Sequence, residues 1–116
     1  MSENEASELT WDEVIAEGII GRDLLLTPST GTALRTKIMD AKIDHGVIMI
    51  TTSGRALFIG DELVKSEKVD PSRTDTLPVL RGGSVTRGKN GVLVFTVFLA
   101  GVYQILPESL WNEPAP

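Results

Sequence analysis

The chain has 116 residues, a formal net charge of −5 and no cysteine. This suits one folded domain and excludes disulfides, thiolate metal sites and a cysteine nucleophile. Apolar residues make up 41% and charged residues 23% of the chain, a composition typical of a globular protein that excludes disorder over the whole length.

The acids are concentrated at the start of the chain, where residues 1–17 carry six acids and no base while the rest holds ten acids and eleven bases. Residues 18–116 are nearly neutral and lack the excess of basic residues that is typical of a nucleic-acid-binding protein, so nucleic acid is disfavoured as a partner. The polar start has no signal-peptide pattern, and the most apolar run, residues 92–106, is shorter than the roughly 20 residues of a membrane helix. We predict a cytoplasmic protein with no membrane partner.

The first predicted element is a helix over about residues 10–18, after an acidic N-terminal tail at residues 1–8. Thr10 is a good N-cap and Glu13 stands three residues later, which is the spacing of a capping box. Leu9 and Val14 occupy the positions of a hydrophobic staple. One apolar stripe with helical spacing follows, made of Trp11, Val14, Ile15, Gly18 and Ile19. A helix this short is unstable alone and must pack on the rest of the domain.

The pattern after Gly21 predicts strands joined by tight turns, which make neighbouring strands antiparallel. Residues 34–43 alternate but change phase near Ile38–Met39, where we predict a bulge. Asp44-His45-Gly46 predicts a three-residue hairpin loop, followed by a central strand at residues 47–52. Ser53-Gly54 predicts a further hairpin turn before a strand at residues 55–59.

The second half of the chain begins with the polar residues 61–78, for which we predict an edge strand at 63–69 and a loop. Strands are predicted at 79–86 and 92–106, the second bent at Gly101. The fold class is mainly β (α+β), an antiparallel meander of about six to eight strands curled into a small barrel or roll with the helix packed against it. We assign residues 9–106 to one globular domain and 107–116 to a Pro-rich C-terminal tail.

The basic stretch Arg81 to Gly91 reads RGGSVTRGKNG. It resembles a phosphate-binding loop only in spacing, because Asn90 replaces the required Ser or Thr and a strand follows in place of a helix. Asn90-Gly91 instead favours a type I′ hairpin turn. Three cations, Arg81, Arg87 and Lys89, are candidates for contact with an anion or partner, and the acidic segment 3–17 is one candidate partner. Nucleic-acid contact through this hairpin stays an alternative.

No residue constellation predicts a reaction. His45 is the only histidine and, with Asp40 and Asp44 nearby, it falls short of the three or four ligands of a metal centre. Asp61 and Glu62 fall in a predicted turn, where solvated carboxylates are expected. We predict a non-enzymatic protein with no cofactor and no metal.

The function predicted from the sequence is a small binding or assembly domain. Residues 92–106 and 47–50 are apolar on both faces, so one face requires cover from curvature, from the helix or from another subunit. We predict self-association as a homo-oligomer, with a possible protein partner. The alternative is a barrel that binds a small apolar ligand. The residues assigned to this self-association or ligand surface are Trp11, Phe95, Phe98 and Tyr103.

Overall fold

A computed structural model describes residues 7–27, 31–97 and 101–111. Within them lie nine strands, one α-helix and one 3₁₀ turn at Lys89–Gly91. In chain order the elements are β1 (Ser7–Leu9), α1 (Trp11–Glu17), β2 (Asp23–Thr27), β3 (Thr32–Asp44), β4 (Val47–Ile59), β5 (Glu62–Glu67), β6 (Asp75–Leu80), β7 (Val85–Arg87), β8 (Leu93–Val97) and β9 (Gly101–Ile105).

The strands form one antiparallel sheet in the order β1-β7-β8-β9-β2-β3-β4-β5, and β6 pairs with the first half of β4. The mainly β fold with one helix is confirmed. The sheet is curled but does not close into a barrel, because β1, β5 and β6 have no ladder to one another among the described residues. The predicted alternative of a roll is therefore the one that holds.

The hairpin of β3 and β4 is the longest in the sheet, with 13 residues in each strand. Its turn contains two residues and not the predicted three, since Asp44 pairs with Val47. His45 and Gly46 both have positive φ angles, 49° and 82°, as a type I′ turn requires. The predicted bulge is confirmed by a register shift between Ile38 and Asp40.

The predicted turn at Ser53-Gly54 is wrong, because β4 runs through both residues. Gly54 has a φ of 80°, and a Cβ placed on it would lie 2.9 Å from Val69 Cγ2 and 3.2 Å from Trp111 Cζ2. Position 54 therefore requires glycine for two reasons, the positive φ angle and the lack of space for a Cβ. At this point β4 changes its partner from β6 to β5.

Two predicted long strands are each divided in the structure. Residues 79–86 contribute to β6 and β7, which have different partners. Residues 92–106 contain β8 and β9, which pair with each other so that Phe95 lies opposite Tyr103. Alternating apolar residues continue through both strands, so their period could not mark the division. Gly101, with a φ of 105°, begins β9 and is not a bend within one strand. These divisions and β1 raise the strand count to nine, above the predicted range.

The helix is confirmed at Trp11–Glu17 with its complete capping box. Glu13 N donates to Thr10 Oγ1 over 3.2 Å, and Thr10 N donates to Glu13 Oε1 over 3.1 Å. The core lies between α1 and the concave face of the sheet. Trp11 is fully buried and meets the ring of Phe95 edge-on at 4.9 Å. No helix in the described ranges is long and apolar enough to cross a membrane.

Candidate functional site

Two of the three candidate cations bind the acids of α1. Arg81 donates to both oxygens of Asp12, with 2.7 Å between Nη2 and Oδ1 and 3.2 Å between Nε and Oδ2. Arg87 donates to both oxygens of Glu17, with 3.0 Å between Nη1 and Oε1. These hydrogen bonds lower the pKa of both carboxyl groups below its ordinary value. The structure thus brings these cations to the acidic segment of the same chain, where they hold the helix against the sheet.

The Asn90-Gly91 turn has positive φ angles at both residues, 65° and 78°. Val92 N donates to Lys89 O across it, which is the pattern of a type I′ turn. Arg22 braces the turn by donating from Nη2 to Gly91 O over 2.9 Å. Lys89 forms no ion pair with any residue that the structure describes. The tip is therefore a structural hairpin turn with one exposed cation.

A buried carboxylate that sequence reasoning missed lies at the start of β2. Asp23 is fully buried and accepts hydrogen bonds from Arg35 Nε at 2.6 Å, Ser109 Oγ at 3.0 Å and the amide of Leu110 at 2.6 Å. It thereby docks residues 109–111, which the sequence assigned to the tail. Its partners lie 12 to 87 positions away in the sequence. The one local signal that could have identified Asp23 is its position directly before the apolar residues of β2. All three donors belong to the chain itself and join β2 to β3 and to residues 109–110, so we assign the carboxylate a structural role.

The other titratable candidates are dispersed on the surface. Asp40, Asp61 and Glu62 are exposed, and the His45 ring is hydrogen-bonded to its neighbour Asp44. Among residues 7–27, 31–97 and 101–111, no three His, Asp or Glu side chains are grouped closely enough to hold a metal ion.

The most distinctive site is a cleft where the curled sheet stays open, between β6 and the end of β8. Its volume is about 720 Å³, and the described side chains that line it carry no charge. Residues 75–80 pair only with β4, and residues 95–97 pair only with β9, among the described strands. Both walls of the cleft are therefore strand edges without a neighbour. Its principal lining residues are Trp11, Val79, Leu80, Gly83, Phe95 and Val97.

The indole of Trp11 carries the one buried side-chain donor in the described chain that has no hydrogen-bond partner. Gly83 lies over this nitrogen, since a Cβ on Gly83 would be 4.0 Å from Trp11 Nε1. Gly82 and Gly83 are both exposed. An unpaired donor thus lies beside a glycine that, like Trp11 itself, lines the cleft. Sequence reasoning named Trp11 but had no signal that its nitrogen would be left unpaired.

The residues assigned to a self-association or ligand surface do not form one outer patch. Trp11 and Phe95 are interior, and Tyr103 is half-buried and stacks on Phe95 with 5.4 Å between ring centroids. Burial raises the pKa of the Tyr103 phenol. Phe98 lies outside the described residues. Trp11 and Phe95 both line the cleft.

Comparison of the chain with protein families, curated proteins and solved structures finds no match.

Proposed function

We propose that the protein is a non-enzymatic binding domain whose ligand occupies the cleft between β6 and β8. The observation that carries this proposal is the unpaired Trp11 Nε1 beneath Gly83. A buried donor without an acceptor costs a folded protein about 1–3 kcal/mol, so such groups are rare in native structures. An acceptor on a ligand would recover this free energy on binding.

The cleft fits an uncharged and largely apolar ligand. Val79, Phe95 and Val97 supply apolar contact, and a volume of about 720 Å³ is within the range of small-molecule sites, roughly 300–1,000 Å³. Arg81, which stands in the sequence between the lining residues Leu80 and Gly82, is already bound to Asp12. A ligand charge buried there would lack a partner and would be costly to desolvate.

Self-association stays a second proposal, now supported by a different surface. All six residues of β5 are exposed, and the exposed fractions of Ile59, Leu63 and Val64 are 59%, 47% and 54%. Apolar side chains on an unpaired edge favour contact between copies. Light scattering at micromolar concentration tests it, and a monomer mass would reject it. A cytoplasmic location likewise stays a prediction.

Binding to the cleft can be tested with Nile red, an uncharged apolar dye that has a carbonyl acceptor. We expect its fluorescence to rise with the folded protein and saturate at one site. Gly83→Ser places a hydroxyl beside Trp11 Nε1, so it should abolish most of this rise. Gly88→Ser is the matched control, because its Cβ would lie at an ordinary 3.7 Å from Val92 O and away from Trp11.

The proposal fails if the wild type and Gly83→Ser bind the dye equally, since the dye would then report exposed apolar surface elsewhere. Absence of any saturable signal with the wild type would also reject it.

A further inference from the structure

We infer that the natural occupant of the cleft is an extended, uncharged polypeptide strand that adds to the free edge of β6. This inference rests on the proposed function and names its ligand class. The free edges have backbone donors and acceptors without partners, and the backbone of an added strand supplies those partners. It also supplies a carbonyl that can accept from Trp11 Nε1.

The two walls of the cleft provide the backbone part of the argument. β6 has a free edge of six residues, whereas β8 has a free edge of three, residues 95–97, beyond the end of β7. An edge strand without a neighbour is a template for the backbone of another segment. The longer edge determines which wall the incoming strand pairs with.

The direction of the incoming strand follows from the sheet order. Five antiparallel ladders connect β8 to β6 through β9, β2, β3 and β4, an odd number, so β6 and β8 run in opposite directions. A single strand between them is antiparallel to one and parallel to the other. Antiparallel pairing is the more stable per residue, so we assign it to the six-residue edge of β6.

Pro78 limits this pairing to part of β6. Proline has no N–H and is found on edge strands where its missing donor faces away from the neighbouring strand. The outer edge at position 78 therefore offers no donor there, which disfavours indiscriminate pairing with other chains. The incoming strand has to find its compensating donor elsewhere, and Trp11, which lines the cleft, carries an unpaired Nε1.

The side chains of the cleft define the chemistry of the strand. Within the part of the chain that the structure describes, no charged side chain lines it, and Phe95 and Val79 form apolar walls. Successive side chains of a strand point to opposite faces. The inward positions of the incoming strand are therefore apolar, and a charge there would have no partner.

The test uses the full chain labelled with ¹⁵N and the capped peptide acetyl-Val-Thr-Val-Thr-Val-amide, whose length matches residues 76–80. We expect saturable shifts of the Trp11 indole and of the backbone amides of Thr76, Leu77, Val79, Leu80 and residues 95–97. Amide exchange should slow at those of the four β6 amides that point away from β4. Two analogues, N-methylated at alternate residues, each remove the donors of one peptide edge. At least one should bind ten-fold or more weakly than the parent.

Three outcomes would overturn the inference. If both analogues bind as well as the parent, the cleft takes apolar ligands without strand addition, and the proposed function survives. If Nile red binds at the cleft and the peptide does not, the ligand class is wrong and the site is retained. If the β6 amides that point away from β4 and the amides of residues 95–97 that point away from β9 are already protected in the free protein, the two edges pair with each other and the cleft is closed to any strand.

Discussion

Two buried polar side chains are surrounded very differently in this protein. Asp23 is fully buried and accepts hydrogen bonds from the side chains of Arg35 and Ser109 and from the amide of Leu110. Trp11 is equally buried, and its Nε1 has no acceptor. The first region uses its polar groups to fasten distant parts of the chain. The second leaves a hydrogen bond to be made, and for that reason we propose it as the binding site.

The comparison shows why buried polar groups are informative. A charge buried without partners would destabilise the folded state strongly. The chain itself provides the partners of Asp23, so we assign this carboxylate a structural role. A neutral donor costs less to leave unpaired, so a protein can retain one where a ligand completes it.

The largest effect should come from breaking the partnered region with Asp23→Ala. Removing the carboxylate leaves Arg35 without its carboxylate partner, with only Glu108 O as an acceptor, and leaves the amide of Leu110 unpaired. Breaking a buried pair in this way typically costs about 3–5 kcal/mol. Urea denaturation measures this loss. Asp75→Ala is the control, because its pair with Arg55 is exposed and should contribute no more than about 1 kcal/mol. Equal losses in the two variants would contradict a structural role for Asp23.

A second variant, Gly54→Ala, tests the packing that holds the C-terminal segment in place. The added methyl group meets Val69 and Trp111 at a positive φ. We expect a loss of about 2–4 kcal/mol in the free energy of unfolding, from backbone strain and overpacking together. Gly60→Ala also has a positive φ but open space around the Cβ, so it isolates the strain, about 1–2 kcal/mol. Identical losses would show that Trp111 does not pack there.

The ion pairs that fasten α1 over the core should make stability fall in acid. Arg81 and Arg87 lower the pKa values of Asp12 and Glu17 below 3.8 and 4.5, with Arg22 also 3.9 Å from Glu17. Carboxyl groups with a lowered folded pKa stabilise above their ordinary pKa values, and this contribution is lost as the pH falls through the lowered ones.

Replacing both cations, Arg81→Gln with Arg87→Gln, should therefore reduce the drop in thermal midpoint between neutral pH and pH values below about 4. Lys89→Gln is the matched control from the same basic stretch and should leave the drop unchanged. A double variant with the full acid dependence of the wild type would exclude these pairs as its source.

The smallest expected effect has the opposite sign and concerns the unpartnered region. Gly83→Ser supplies an acceptor to Trp11 Nε1, and an intramolecular hydrogen bond usually contributes about 1 kcal/mol net. Its Cβ would also lie 3.3 Å from Leu80 O, a tight contact, so we expect the free energy of unfolding to rise by less than about 1 kcal/mol. Gly88→Ser should stay within about 0.5 kcal/mol of the wild type. Stabilisation by both variants alike would point to reduced backbone freedom and not to the indole.

Local features of this fold could be predicted from the sequence. Examples are the capping box of α1, the bulge near Ile38 and the Asn90-Gly91 turn. Each depends on residues within a few positions of one another, so the local sequence predicts it. The division between β8 and β9 was missed because apolar residues continue across it. The division between β6 and β7 falls at Gly82-Gly83, a turn signal that the predicted strand at 79–86 passed over. The turn predicted at Ser53-Gly54 mistook a glycine required for packing for one required by a turn.

The candidate site was only partly predictable for the same physical reason. Trp11 was recognised as an anchor from its helical spacing, and the cations of the basic stretch were paired with the acidic segment by charge alone. Whether the nitrogen of Trp11 finds an acceptor depends on the path of residues 82–84, some 70 positions away. The carboxylate of Asp23 likewise depends on Ser109 and Leu110, and no local pattern encodes such contacts.

The most direct measurement is the ¹⁵N–¹H spectrum of the indole of Trp11, assigned with a Trp111→Phe variant. Our account predicts a free-protein signal typical of an indole proton without a hydrogen bond, which moves downfield and exchanges more slowly when the capped peptide is added. The Trp111 signal should stay in place. An indole proton of Trp11 that is already hydrogen-bonded in the free protein, and does not respond to the peptide, would contradict the central claim.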